Sequence, residues 1–196
     1  MKLLLRLAGV LALGACSILP NPKPVQYHYV VLEATSAPDA TPAHVTTGTV
    51  ALRRVELPSY LDSGVVVKRT AENEIGYSRD ERWGEPLVDA VPRVLALDLR
   101  SRLAPANLDV LTQGSLADTW VALEIERFEP GPDGRAELSA RWSIHERGKP
   151  GEVRFGEARL LDREGGSSAA GMSRLLGRLG DSIAADVQGA AATAQK

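Results

Sequence analysis

Between residues 136 and 145 apolar and polar side chains alternate without a break. Ala136, Leu138, Ala140, Trp142 and Ile144 are interleaved with Glu137, Ser139, Arg141, Ser143 and His145. A period of two means a strand with one face buried and one in water. Wound as a helix, the same run would scatter its apolar residues around the cylinder. The pattern therefore demands a sheet, with a second layer to cover its apolar face. Flanking segments supply the neighbours. Thr119 to Glu129 sets Val121, Leu123 and Ile125 against Glu124 and Glu126, and Pro130-Gly131-Pro132-Asp133-Gly134 is a turn. Gly148 to Gly151 turns again, and Val153 to Leu161 returns as a third strand, with Gly156 as the expected site of a bulge. The three predict an antiparallel meander.

Upstream, Tyr27 to Glu33 is rich in β-branched and aromatic residues, Gly48 to Glu56 carries Val50, Leu52 and Val55 between turn formers, and both predict strands. Ala34 to Thr47, with Pro38 and Pro42, predicts a loop. Gly64 to Thr70 and Glu74 to Ser78 predict a strand pair around a turn at Ala71 to Asn73, and Asn107 to Leu111 a short further strand. Two segments have helical spacing. Leu87, Val91, Leu95, Leu99 and Leu103 recur every fourth residue after Pro86, widened by Val88 and Val94, with Arg93, Asp98, Arg100 and Arg102 turned away. Pro86 suits a first helical turn, whereas Pro92 removes one helical hydrogen bond and predicts a kink. The second stripe is Met172, Leu175, Leu176, Leu179, Ile183 and Val187, capped by Ser167 or Ser168. The expected architecture is α+β, a mainly antiparallel sheet with two amphipathic helices packed on one face.

The single cysteine constrains the rest. Lys2 and Arg6, the apolar run Leu7 to Leu13, and Leu13-Gly14-Ala15-Cys16 have the anatomy of a secretory leader. The last four residues resemble a bacterial lipobox. That resemblance implies cleavage before Cys16, diacylation of its thiol and acylation of the freed amine. Two or more chains hold a protein stably on a bilayer, where one is marginal. The expected organisation is a leader over 1–15, a lipidated Cys16 with a proline-rich tether over 16–26, one domain over 27–188 and a disordered tail over 189–196. Pro20, Pro22 and Pro24 favour extension, which gives ten residues a reach of roughly 30 Å. With Cys16 at the anchor, no intrachain disulfide can form, so packing alone must hold the fold. The leader carries two of the 23 basic residues and no acid, leaving 21 against 25 acids and a net charge of −4. That balance gives no basic face for nucleic acid.

Catalytic patterns are missing from the sequence. His28, His44 and His145 do not stand at metal-ligand spacing. There is no Gly-x-Ser-x-Gly elbow. Gly165-Gly166-Ser167-Ser168 lacks the lysine and spacing of a nucleotide loop. Glu124 and Glu126 fit a solvated strand face. No catalytic residue, metal or cofactor is expected.

Two internal motifs carry a family resemblance. Val55-Glu56-Leu57-Pro58-Ser59-Tyr60-Leu61-Asp62 precedes Gly64-Val65-Val66-Val67, and Tyr77-Ser78-Arg79-Asp80-Glu81-Arg82-Trp83-Gly84-Glu85-Pro86-Leu87 enters the first helix. In this order, after a lipobox, they resemble the ABC-type transport auxiliary lipoproteins of the PqiC/YmbA type. Gly84 and Pro92 depart from the usual pattern. The resemblance implies a non-enzymatic outer-membrane lipoprotein that faces the periplasm. Its partners would be an MCE-domain protein and an inner-membrane transport component, and it would support membrane integrity. Ser17 after the cysteine fits outer-membrane sorting. Tyr60, Leu61, Arg82, Trp83 and Glu85 become candidate partner contacts. For Trp83 a plug between helix and sheet is the favoured role. Self-association into a ring is left open. The alternative function is a periplasmic lipoprotein that binds a lipid or small apolar ligand in a cavity.

Overall fold

The computed structural model describes residues 24–35, 48–111, 116–151 and 153–194. The strands are β1 (His28–Val30), β2 (Gly48–Glu56), β3 (Val65–Ala71), β4 (Glu74–Trp83), β5 (Leu108–Leu111), β6 (Thr119–Pro130), β7 (Ala136–Glu146) and β8 (Val153–Leu161). The helices are α1 (Leu87–Leu103) and α2 (Ser168–Ala194). The fold is α+β. Five strands form one sheet in the order β5-β2-β6-β7-β8, and three form a second in the order β1-β4-β3.

β6, β7 and β8 make the expected meander, and β3 pairs antiparallel with β4. The remaining pairings are parallel: β1 with β4, and β2 with both β5 and β6. Each parallel partner is separated in sequence by a long connection, as parallel pairing requires. The inward residues of β7, Ala136, Leu138, Ala140, Trp142 and Ile144, are all buried. They meet both helical stripes, from Leu87 through Leu103 on α1 and from Met172 through Val187 on α2.

Several elements differ from expectation. β4 runs five residues further than predicted, through Trp83, and α1 begins at Leu87 behind Pro86. β1 is shorter, because after Val30 the chain leaves the sheet and crosses the helices. Leu32 is buried there, the Glu33 amide donates to Ser173 Oγ (3.1 Å), and the Thr35 amide and hydroxyl donate to Asp98 Oδ1 (3.0 Å each). Asp98, expected in solvent, is thus fully buried and also receives Arg102 Nη1 at 2.9 Å. This crossing needs a glycine on α2, since a Cβ at Gly177 would lie 2.1 Å from Thr35 Oγ1. Val88 is exposed rather than part of the core face. A single helix, α1, includes Pro92, which has no amide to donate to the Val88 carbonyl. Gly156 is not a bulge, because the β7–β8 register passes through it unshifted. It makes room for the Trp142 indole, from which a Cβ would stand only 2.3 Å. Ser167 Oγ accepts the Ala170 amide at 3.3 Å at the start of α2. The helix runs past Gly189, with Ala190 buried, through part of the stretch expected to form a tail.

Candidate functional site

Leu61 closes a 3-10 turn at Ser59–Leu61 and is buried. Tyr60, beside it, sends its hydroxyl to Glu129 Oε2 at 2.8 Å. Glu129 is buried near the end of β6 and also accepts from Arg69 (2.7 Å), Arg127 Nε (3.2 Å) and the Phe128 amide (2.9 Å). Burial pushes the Tyr60 hydroxyl up to about 12, and the hydrogen bond and charge of Glu129 act in the same direction. Tyr60 is therefore a neutral donor at any physiological pH. It fastens the turn to the large sheet.

Trp83 ends β4 opposite Val30, with its amide on the Gly64 carbonyl at 2.9 Å and its side chain 6% exposed. Leu61 and Trp83 are therefore framework, not exposed contacts. Glu85 pairs with Arg93, spanning the first turns of α1. Arg82, next to Trp83, lies on the opposite face of β4. Its Nη1 donates to the carbonyls of Ser78 (3.1 Å) and Glu81 (2.9 Å), and its guanidinium lies 4.4 Å from the centroid of the Tyr27 ring.

Through Arg82 the motif reaches a surface. Register places Tyr29, Arg82 and Val65 in one row across the small sheet. Tyr29 is 71% exposed, and Tyr27, Val31 and Tyr77 are also exposed. Exposed tyrosines beside an arginine resemble the composition of protein–protein contact patches, where aromatic residues and Arg are enriched. A guanidinium over an aromatic face is attractive and fixes the ring. Arg82 is thus brought together with Tyr29 of β1 and with Tyr27 just before it, while Tyr60, Leu61, Trp83 and Glu85 serve the frame beneath. The sequence reading leaves Tyr27 and Tyr29, exposed here, out of the candidate contacts. They read as strand formers, and their exposure follows only from β1 being an edge strand three residues long. Cys16 lies outside the described residues.

Other chemistry has little support. Among the described residues no three His, Cys, Asp or Glu side chains cluster to hold a metal. Ser143 Oγ and His145 Nε2 are 3.0 Å apart, but the imidazole is stacked on Trp120 and no described carboxylate bonds it. Two hollows of about 470 and 380 Å³ open on the outer face of the large sheet. Charged side chains, including Glu126, Arg127, Glu137 and Arg159, wall the first, and Arg54, Glu56, Glu124 and Arg141 the second. Apolar ligand sites are lined mainly by hydrophobic side chains. No described helix is long and apolar enough to cross a membrane.

The family of ABC-type transport auxiliary lipoprotein components matches residues 30–184, which takes in both motifs, every strand but the start of β1, and most of α2. This chain belongs to that family. Two crystal structures share this fold. One, of an uncharacterised protein, has a TM-score of 0.64 at 18% identity over 83% of this chain and 97% of its own. The other, a DUF330-family protein from Xanthomonas campestris, has a TM-score of 0.61 at 13% identity over 85% of this chain and 99% of its own. No curated protein gives a significant match. As a member of the family the chain is a lipoprotein component auxiliary to ABC-type transport.

Proposed function

We propose that this lipoprotein is a non-catalytic outer-membrane subunit of an MCE-type lipid-transport system, fixed to the bilayer through Cys16 and docking the periplasmic conduit by protein contact. The family match is the observation that carries the reading. The surface built by Tyr27, Tyr29 and Arg82 supports it, because it stands next to the family-like motif and close in sequence to the anchor. An inner-membrane transport component completes the assembly, and docking supports membrane integrity. Ser17 favours outer-membrane sorting. The apolar-ligand alternative has less support, given charged walls around the two hollows on the large sheet and complete burial of Val121, Leu175 and Leu179 between sheet and helices.

The test is affinity capture from envelopes dissolved in mild detergent, with palmitate labelling alongside. The expected result is recovery of an MCE-domain protein, with label on the native chain and none on Cys16→Ala. Capture without any MCE-domain protein would overturn the docking role. Equal labelling of the variant would overturn the anchor.

A further inference from the structure

β8 closes one side of the large sheet, and among the described residues no strand lies beyond it. A free edge exposes unpaired backbone donors and acceptors, and soluble proteins blunt such edges with short strands, proline, bulges or charged side chains, of which β8 carries only the last, in Arg154, Glu157 and Arg159. The opposite edge, β5, is only four residues long. β8 has nine residues, no proline and an unshifted register. Its outward side chains are Phe155, Glu157, Arg159 and Leu161, in line with Ser143, Arg141, Ser139 and Glu137 of β7. Phe155 is 82% exposed. Glu157 and Arg159 have opposite charge two residues apart, and neither forms an ion pair with a described residue. Arg141, opposite Glu157, is engaged by Glu124 and Glu126 instead.

We propose that β8 is the docking edge for a second copy of this chain. The two strands pair antiparallel about a two-fold axis at Ala158, joining two five-stranded sheets into one. Charge selects the occupant and the register. With Ala158 facing its own copy, each Glu157 faces the second copy's Arg159, and Phe155 faces Leu161. Moving the axis to residue 157 or 159 sets Glu157 against Glu157 or Arg159 against Arg159. Like charges directly opposite are destabilising, and opposite charges stabilise. Axes between residues would oppose side chains of different faces, which a continuous pleat forbids. A patch that complements itself in this way is the requirement for a closed two-fold interface.

The test uses the full-length chain in its envelope with Ala158→Cys. Facing residues in an antiparallel pair have Cα atoms about 4.5–5.5 Å apart, within disulfide range. The native chain, whose one cysteine is Cys16, is the control. Mild oxidant is expected to give a homodimer with Ala158→Cys and none with the native chain. Adding Glu157→Arg or Arg159→Glu should lower the cross-linked fraction roughly tenfold, and combining both reversals should restore it. Four outcomes would overturn the proposal: no cross-link above the control, a cross-link to a different protein, indifference to single reversals, or no recovery in the double reversal.

Discussion

At the level of single residues, neighbours in the same motif have opposite duties. Trp83 fills the core and Arg82 holds a surface tyrosine. Trp83→Ala is expected to cost about 3–5 kcal/mol, the usual penalty for emptying a buried aromatic site. Tyr29→Ala should change stability by less than about 0.5 kcal/mol, as expected of an exposed position, while lowering recovery of the transport partner. Urea unfolding beside affinity capture checks the pair. A large stability loss in Tyr29→Ala would place that ring in the frame. The apolar stripe from Leu87 to Leu103 was legible because helical spacing is local. The burial of Asp98 was not, because its partner is Thr35, 63 residues away. Gly156 was misread for the same reason, since the ring that needs the space belongs to β7.

At the level of elements, β2 and β8 coincide with their expected spans, and the meander follows from turn chemistry between alternating runs. Parallel pairing of β2 was invisible in sequence. Nothing local to Gly48–Glu56 names β5 and β6 as neighbours, which lie more than fifty residues further along the chain. The link from β8 into α2 depends on charge. Asp162 is buried and receives Arg174 Nε (2.9 Å) and Nη2 (2.7 Å). The hydrogen bond from Arg174 holds its carboxyl below the usual range, against the opposing effect of burial. A carboxyl depressed in the folded state contributes stability that is complete above its unfolded value, about 4, and is lost as pH falls through the folded value. Asp162→Ala should therefore cost about 2–3 kcal/mol at pH 7. The gap to the native protein should narrow as the pH is lowered below about 4. Denaturation curves at several pH values read this directly, and a gap constant down to pH 2 would contradict the linkage.

For the whole molecule, one core lies between the large sheet and two helices, and the small sheet presents Tyr29 to the outside. The core is the part that sequence patterning reveals best, because burial leaves a period. Surfaces leave none, so the exposed aromatic face proposed for docking emerged only when register placed Tyr29 beside Arg82. Placing that face against a lipid-transport conduit is the central claim, and its most direct measurement is site-specific photo-cross-linking in intact cells. A photoreactive residue replacing Tyr29 is predicted to give an adduct containing an MCE-domain protein, and the same residue replacing Glu124 on the far sheet face to give none. Adducts from position 29 that lack such a protein, or equal adducts from both positions, would contradict the claim.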